Sequence, residues 1–259
     1  MRIALVTTNL AGGGAEKALV NLAGLLSQRG HELVLILLEH IVVHQPPAAV
    51  TLHALTEPGR PAAKGFFGKR LSAWRLKRWI AGERPFDLII SSLPYADEVV
   101  TLAKLPSASV WYRIANTLSA ELQALPPGKA ARRLARYRRL YQGRQLIAVS
   151  KGVAADLREN LGLTEARIVT LYNPFDFAAI RRLALAHEAD LPTVPYVIHV
   201  GRFAPAKRHD LLFAAWKLAA PVHQLVLLTP HNAQLAALIA RHGLGHQVIV
   251  AGFHANPYP

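Results

Sequence analysis

Short, continuous runs of apolar residues recur along this chain, and each is followed by a stretch with helical character. The runs occupy residues 3–6, 33–38, 88–90, 110–112, 146–149, 168–171, 197–200, 225–228 and 248–250. Continuous rather than alternating runs are typical of parallel strands that are covered on both faces. The alternation therefore predicts an α/β fold built on doubly wound parallel sheets with right-handed crossovers.

Three of the intervening segments carry apolar residues at helical spacing on one face. Their stripes are Leu19, Leu22, Ala23 and Leu26; Ala130, Leu134, Tyr137 and Tyr141; and Leu235, Leu238, Ile239 and His242. Gly30 follows the first stripe at a position where a left-handed glycine commonly ends a helix. These segments are predicted to be amphipathic helices that pack on the sheets.

The segment LPTVP at 191–195 interrupts this rhythm, which restarts at Tyr196. Two prolines so close together cannot continue a helix. We therefore predict two Rossmann-like domains, residues 1–190 and residues 191–259. No helical segment follows the last run at 248–250, so we expect the second domain to be incomplete within these 259 residues.

The chain is strongly basic and has no cysteine. Thirty Lys and Arg against sixteen Asp and Glu give a formal charge of +14. Such a surface attracts phosphates, anionic lipids or nucleic acids. The lack of cysteine excludes a disulfide scaffold, a cysteine-based metal site and a thiol nucleophile, and it fits a reducing cytoplasm. No apolar run approaches the roughly 18 residues that span a bilayer.

Small, amide and cationic residues follow several predicted strands. Ligands of open α/β sheets bind outside the carboxyl ends of the strands. The candidates at this edge are Gly13, Gly14, Glu16, Ser91, Ser92, Arg113, Asn116, Ser150, Lys151, Asn173, Gly201, Arg202 and Lys207. A phosphorylated ligand is expected at this edge.

The triple glycine at 12–14 allows backbone N–H groups to approach an anion at the start of a helix over 15–28. The same glycines also suit a tight turn that binds nothing. A dinucleotide-binding loop needs Gly-x-Gly-x-x-Gly, and Lys17 stands in the last position. Glu39 remains a candidate ribose-binding acid, so a nicotinamide-dependent oxidoreductase stays open. A P-loop is excluded because no Gly-Lys-Ser/Thr follows.

Arg202 and Lys207 bracket the turn that opens the first helix of the second domain. A guanidinium grips phosphate oxygens with two hydrogen bonds, and an ammonium adds a point charge. The alternative interpretation is an ordinary solvated helix start.

Five segments, in order and over essentially the whole chain, resemble motifs of glycosyltransferase family 4. They are RIALVTTN with GGGAEK at 2–9 and 12–17, IAVSKGV at 147–153, YNPFD at 172–176, VGR at 200–202 with Lys207, and AGF with NPY at 251–258. The resemblance implies the GT-B fold, in which two Rossmann-like domains face each other across a cleft. It also implies transfer of a sugar from a nucleotide sugar with retention of configuration and without a tightly held metal.

By the same resemblance, the amino-terminal domain takes the acceptor and the carboxyl-terminal domain binds most of the donor. Arg202 and Lys207 would neutralise the leaving nucleoside diphosphate. Gly13 and Gly14 would bring backbone amides to the same phosphates. The resemblance further implies a hinge at Asn173 and Asp176. The cleft and acceptor candidates are Glu16, Arg113, Asn116 and Ser150, and no catalytic residue is identified.

Three departures from the family pattern limit this inference. The family's Glu-x7-Glu region, which contacts the donor sugar and ribose, would lie beyond the last matched loop. Ala115-Asn116 stands where many relatives have His-Asn, and residues 229–232 (TPHN) replace the usual GdGp. We therefore expect these 259 residues alone to have little or no transferase activity.

Two segments concentrate positive charge. Residues 60–84 hold eight basic residues and one acid, interleaved with Phe66, Phe67, Trp74 and Trp79, and residues 129–144 hold seven basic residues and no acid. Arg132, Arg133, Arg136 and Arg139 are predicted to face away from the apolar stripe of their helix. Docking on anionic lipid is one interpretation, and a solvated basic surface is the other. No recognised motif supports a nucleic-acid partner.

Histidines four residues apart occur at His40 and His44 and again at His242 and His246. Neither pair lies securely on a helix, and no carboxylate completes a site, so no metal is predicted. The leading hypothesis is a glycosyltransferase that acts on a cell-envelope glycan or lipid-linked acceptor in the cytoplasm, with peripheral association with the inner membrane face as an extension. The alternatives are a non-catalytic basic protein that binds membrane or glycan, and an NAD-dependent oxidoreductase.

Overall fold

A computed structural model describes residues 1–11, 13–63, 65–186, 192, 194–254 and 256–259. These residues form two compact units, Met1–Phe175 and Asp176–Pro259. The predicted domain boundary between residues 190 and 191 lies outside the described residues. The division between the units falls between Phe175 and Asp176. The hinge at Asn173 and Asp176 stays a prediction.

Unit 1 is built on a sheet of seven parallel strands. They are β1 (Arg2–Thr7), β2 (Glu32–Leu37), β3 (Val50–Ala54), β4 (Leu88–Ser92), β5 (Val110–Ile114), β6 (Gln145–Ala148) and β7 (Arg167–Thr170). The strand order is β3-β2-β1-β4-β5-β6-β7. The order reverses between β1 and β4, and such a switch point is where doubly wound sheets bind ligands.

Helices cover both faces of this sheet. They are α1 (Gly14–Gln28), α2 (Gly65–Ala81), α3 (Pro94–Ala103), α4 (Leu118–Gln123), α5 (Pro127–Tyr141) and α6 (Lys151–Ala155), the last continued by a π-helical turn at Asp156–Asn160. Ala4 and Val6 pack into one core, whereas Ile3 and Leu5 pack into the other. Because both faces of β1 are buried, its sequence is a continuous apolar run.

Strand β3 was not predicted from the sequence. It lies at the edge of the sheet beside β2, and only Val50 of its five residues is buried. An edge strand exposed to this degree needs no apolar run, which explains why the sequence pattern missed it.

Unit 2 has three parallel strands, β8 (Tyr196–Val200), β9 (Gln224–Leu228) and β10 (Val248–Val250), in the order β10-β9-β8. Its helices are α7 (Phe177–Leu183), α8 (His209–Ala219) and α9 (Ala233–His242), with a 3₁₀ turn at Pro205–Lys207. Phe213 and Leu235 pack with β9 in the core. In β8, by contrast, Val197 and Val200 are 45% and 53% exposed.

The α/β class, the parallel sheets and the three amphipathic helices are therefore confirmed. Gly30 has a φ of 80° and its N–H binds the carbonyl oxygen of Ser27, so it ends α1 as predicted. Each of the nine predicted apolar runs contributes a strand.

Candidate functional site

The guanidinium of Arg113 lies buried at the carboxyl edge of the unit 1 sheet. It donates to Ser92 Oγ at 3.0 Å, at the end of β4, and to Asn173 Oδ1 at 2.7 Å, in the segment after β7. Arg113 is only 4% exposed, and no carboxylate of the described residues forms an ion pair with it. A buried cation held by uncharged partners retains attraction for an anionic group.

Burial lowers the pKa of Arg113, and the nearby Glu16 carboxylate partly offsets this effect. Glu16 belongs to the first turn of α1, so the predicted cleft residues Glu16 and Arg113 lie at one edge of the sheet, together with Asn173, which was predicted for the hinge. Because an arginine remains protonated in proteins, Arg113 keeps its positive charge despite this lowered pKa.

The amino terminus of α1 is already occupied by a side chain. Gly13 is the N-cap, and a Cβ on it would lie 2.2 Å from Glu16 Oε2, which means that the carboxylate lies directly against this glycine. A Cβ on Gly14 would meet open space. A phosphate at this helix end would have to displace Glu16, so the phosphate contact of Gly13 and Gly14 stays a prediction. Gly12 lies outside the described residues.

Glu39, the candidate ribose-binding acid, is tied into the fold. Its Oε2 accepts from Asn9 Nδ2 at 2.7 Å, and its Oε1 accepts from the backbone N–H of Ala62 at 3.1 Å. Glu39 is buried. Because both oxygens hold parts of the chain, the structure gives Glu39 a role in fixing loops and offers no support for dinucleotide binding.

A buried polar network next to Arg113 escaped the sequence analysis. Asp97 on α3 accepts from Ser91 Oγ at 2.6 Å and from the Tyr141 hydroxyl at 2.7 Å, and all three are buried. Burial raises the pKa of Asp97 to about 7 and that of Tyr141 well above its ordinary value. Tyr141 was counted only as part of an apolar stripe, and Asp97 resembled an ordinary helix residue.

A small crevice of about 10 Å³ is lined by Asp97 and Tyr141 of this network and also by Arg113, Asn116 and Glu121. That volume suits a single water molecule. Leu93, at its rim, has a φ of 82°, a conformation that side chains rarely adopt. Such strain often marks functional sites, and here it lies at the switch-point edge.

Two of the predicted site residues act as helix caps. Ser150 Oγ accepts from the N–H of Val153 at the start of α6, and Asp176 Oδ1 accepts from the N–H of Ala179 at the start of α7. Where family 4 typically has GdGp, Asn232 Oδ1 accepts from two N–H groups of α9. Each cap satisfies helix donors that would otherwise be unpaired.

In unit 2, Gly201, Arg202 and Lys207 follow the carboxyl end of β8. A Cβ on Gly201 would lie 3.4 Å from Lys207 Cδ and Cε, so the lysine stem packs on the glycine. Arg202 and Lys207 are exposed, and neither forms an ion pair within the described part of the chain. Arg208, directly after Lys207, is neutralised by Asp210 through bonds of 2.9 Å. The two predicted phosphate-binding cations therefore differ from their neighbour in having no acidic partner.

Two histidines stand beside this turn. His209 is 2% exposed, its ring lies 4.8 Å from that of His199, and neither of its nitrogens has a hydrogen-bond partner among the described residues. Burial lowers the pKa of both rings, and Lys207 lowers each of them further. Among the described residues, no group of three or more His, Asp or Glu side chains is arranged to hold a metal ion.

The basic segments differ from their prediction at one residue. Arg136 was expected to face away from the packed side of α5, but it binds Glu98 on α3, which Lys69 on α2 also binds. Glu98 is largely buried, so it draws both cations inward. In addition, none of the described helices is long and apolar enough to cross a bilayer.

In α2, mostly small residues face the core and several large apolar residues are exposed, which is the reverse of the usual amphipathic pattern. Gly68, Ser72, Ala73 and Leu76 face the core. Phe66, Phe67, Leu71 and Trp74 are exposed, and Arg70 and Arg78 lie over the rings of Phe66 and Trp74. We call these four apolar side chains and two arginines the α2 outer face. Trp79 turns inward and stacks on His53 at 4.2 Å.

Comparison with known proteins identifies the lineage. The profile described as Glycosyltransferase Family 4 matches residues 12–179, more than half of the chain. A Campylobacter jejuni protein, N-acetylgalactosamine-N,N'-diacetylbacillosaminyl-diphospho-undecaprenol 4-alpha-N-acetylgalactosaminyltransferase, is 31% identical over 115 residues. The match covers 44% of this chain and 31% of that protein, so it spans about a third of the relative's length.

Two solved structures match nearly the whole chain. Sucrose-phosphate synthase from Thermosynechococcus elongatus has a TM-score of 0.72 at 17% identity, covering 98% of this chain and 71% of its own. Anabaena Alr3699/HepE in complex with UDP and glucose has a TM-score of 0.66 at 19% identity, covering 99% and 70%. These likenesses confirm the predicted GT-B fold class. Together with the profile match, they lead to the conclusion that the chain belongs to glycosyltransferase family 4.

Proposed function

We propose that this protein transfers a sugar, with retention, from a nucleotide-sugar donor to a cell-envelope glycan or lipid-linked acceptor. Membership of family 4 supports sugar transfer. The Campylobacter relative is named for a diphospho-undecaprenol acceptor, and the Anabaena structure is a complex with UDP and glucose. The basic charge of the chain suits a donor and an acceptor that both carry diphosphate.

The observation that carries this proposal is the contrast between three successive cations of unit 2. Arg202 and Lys207 lie at the carboxyl end of β8 without an acidic partner in the described chain, whereas Arg208 is paired with Asp210. Unpaired cations at a strand's carboxyl end suit the diphosphate that leaves during transfer. On this proposal, Arg202 and Lys207 bind the diphosphate and Arg208 does not.

Arg113 and Asn116 are proposed to contact the acceptor in unit 1. Arg113 has a buried guanidinium with uncharged partners, and Asn116 lines the crevice beside it. A phosphate of a lipid-linked acceptor would form the ion pair that Arg113 does not form with any described residue.

The α2 outer face is proposed to dock the protein on the anionic inner surface of the cell membrane. Aromatic side chains insert at the headgroup level, and arginines attract anionic lipids. Phe67 is 84% exposed and Trp74 is 55% exposed, and arginines lie against the rings of Phe66 and Trp74. Phe66, Arg70, Trp74 and Arg78 recur every four residues along the helix, so they share one face.

Calorimetric titration with UDP, GDP and NAD tests donor binding. At least one nucleoside diphosphate should bind, and Arg202→Ala or Lys207→Ala should weaken binding about 10-fold because one charge-assisted hydrogen bond is lost. Arg208→Ala is the matched control and should change affinity less than twofold. Binding of NAD alone, or equal losses from all three variants, would refute the proposed donor site.

Vesicle sedimentation tests the membrane proposal. The chain should bind vesicles that contain anionic lipid and should bind neutral vesicles weakly. Phe67→Ser with Trp74→Ser should release it, while Leu218→Ser, which removes an exposed leucine of α8, should not. Membrane binding without binding of any nucleoside diphosphate would favour the non-catalytic alternative.

A further inference from the structure

A pocket of about 610 Å³ opens at the amino-terminal edge of the unit 1 sheet, opposite the edge that carries Arg113. It is framed by the starts of β5, β6 and β7 and by the end of α3. None of the twelve described residues that line it is acidic, and three of them, Lys104, Arg144 and Arg167, are cations. Pockets of this volume commonly hold small molecules.

At the other end of this amino-terminal edge of the sheet, near β1, arginines are paired with carboxylates. Arg2, at the start of β1, binds Glu32 and Glu83, and Arg84 binds Glu32 as well. Around the pocket, by contrast, none of the three cations forms an ion pair with a described residue. The three cations around the pocket are therefore available to bind an external anion.

The lining combines apolar and polar groups. Val100, Leu105 and Val110 supply apolar surface, and Tyr112 and Thr101 share a hydrogen bond of 2.9 Å between their hydroxyls. Burial raises the pKa of the Tyr112 hydroxyl, and the charge of Arg144, which also lines the pocket, partly offsets this effect. A ligand with a carbon skeleton and an anionic group matches such a lining.

The wall of the pocket is held in place by the side-chain amide of Gln145. This amide donates to the carbonyl oxygens of Ser107 and Ala108 at 3.0 and 3.1 Å. Arg167 lies over the Trp111 ring, with its guanidinium carbon 5.2 Å from the ring centroid. Arg167 Nη1 also donates to Gln145 Oε1 at 3.5 Å. Together these contacts restrain the arginine, and its other N–H groups stay available for a ligand.

We propose that this pocket binds a phosphorylated small molecule, whose phosphate oxygens contact Arg144, Arg167 and Lys104. Guanidinium groups match phosphate geometry, and three cations around one concavity suit the charge of a phosphate or diphosphate. The pocket lies at the opposite edge of the sheet from Arg113, so this site does not rest on the proposed transferase function.

Trp111 does not line the pocket, but its fluorescence can report on Arg167, whose guanidinium lies over the ring. Titration of the full chain with inorganic diphosphate should change the emission of Trp111, because a ligand on Arg167 alters the cation that lies over the ring. Calorimetric titration should show that Arg144→Gln with Arg167→Gln weakens binding about 100-fold, as expected for the loss of two charge-assisted contacts. Calorimetry is needed for this variant because Arg167→Gln also removes the cation on which Trp111 reports. Lys104→Gln, at an exposed position outside the sheet, should weaken binding about 10-fold.

Three controls separate this pocket from other cations. Trp111→Phe, in a chain that also carries Arg202→Ala and Lys207→Ala to remove the proposed diphosphate site of unit 2, should abolish the fluorescence response while calorimetric binding persists. Arg84→Gln removes an already paired arginine of the same edge and should leave the affinity unchanged. Arg202→Ala should also leave the Trp111 response unchanged, so loss of donor binding in unit 2 is distinguishable from loss of this site.

Parallel titrations identify the source of the phosphate. A response to inorganic diphosphate alone indicates a soluble ligand, and a response to vesicles with phosphatidic acid indicates a lipid headgroup. Either supports the proposal. No change at millimolar diphosphate or with vesicles, or the same calorimetric affinity in the Arg144→Gln, Arg167→Gln chain, would overturn it.

Discussion

Arg113, at the carboxyl end of β5, donates a 2.7 Å hydrogen bond to Asn173, sixty residues further along the chain in the segment after β7. The bond joins a residue predicted for the cleft to one predicted for the hinge. Asn173 and Ser92 supply oxygen acceptors but no charge. Arg113 is therefore restrained by two uncharged acceptors, and no described carboxylate forms an ion pair with it.

This arrangement predicts an unusual order of stabilities. Asn173→Ala leaves a buried guanidinium with one acceptor fewer and should lower the free energy of unfolding by about 1–3 kcal/mol. Arg113→Met removes the buried charge itself and should change that free energy by less than about 1 kcal/mol. Urea unfolding of both variants provides the measurement. A larger loss from Arg113→Met than from Asn173→Ala would show that the arginine is structural rather than reserved for a ligand.

The sequence predicts the edge at which Arg113 and Asn173 lie, because the carboxyl ends of parallel strands meet at one edge. It does not predict their contact, which depends on the order of β5, β6 and β7 in the sheet. The Asp97 network was missed for a similar reason. Whether an aspartate on a helix faces solvent or a buried tyrosine is decided by packing between α3 and α5, and no local pattern reports it.

The pocket at the amino-terminal edge of the unit 1 sheet shows a second limit of prediction from sequence. Lys104, Arg144 and Arg167 come from three separate segments, and each alone resembles a surface cation. The α2 outer face was obscured differently, because small residues fill its buried side and the large apolar residues point outward. A pattern that equates large apolar residues with the core cannot detect such a helix.

Asp97 should make unit 1 less stable as the pH rises from about 4 to 7. Its pKa is about 7 in the folded chain, against 3.8 for an unperturbed aspartate. The folded state therefore holds the proton more tightly, so this stabilisation is complete below pH 4 and is lost as the pH approaches 7. The slope should be at most about 1.4 kcal/mol per pH unit.

Asp97→Asn tests this assignment by urea unfolding between pH 4 and 8. The amide cannot titrate, so the decline between pH 4 and 7 should become shallower by about one proton's contribution. An unchanged pH dependence would mean that Asp97 is ionised in the folded chain.

His209 should make unit 2 less stable as the pH falls, which is the opposite of the pH dependence expected from Asp97. Burial, together with the charges of His199 and Lys207, lowers the pKa of its ring, while Asp210 acts in the opposite direction. A histidine whose pKa is lowered in the folded state contributes stability at pH values above its ordinary pKa, which is near 6.5. This stabilisation is lost as the pH falls below that ordinary pKa. Trp216, which lies on α8 with His209, reports unfolding of this unit by fluorescence.

His209→Phe should flatten this acid-side loss. It should also raise the free energy of unfolding by about 1 kcal/mol, because it replaces unpaired buried nitrogens with carbon among Phe203 and Phe213. His242→Phe, at the end of α9, serves as the comparison. Destabilisation by His209→Phe at neutral pH would show that the imidazole has a partner that the fold requires.

We expect substitution by alanine to cost more stability at Gly68 than at Gly13. A Cβ on Gly13 would meet the end of the flexible Glu16 side chain at 2.2 Å, whereas a Cβ on Gly68 would meet the backbone oxygen of Ala63 at 1.9 Å. Glu16 can rotate away, so Gly13→Ala should change the free energy of unfolding by less than about 1 kcal/mol. The backbone of Ala63 cannot move without shifting the start of α2, so Gly68→Ala should cost about 1–3 kcal/mol.

Gly128→Ala, where a Cβ meets open space on α5, is the reference for the gain in helix propensity. Equal costs at Gly13 and Gly68 in thermal or urea unfolding would show that the contact between α2 and residue 63 is not close enough to fix the position of the α2 outer face.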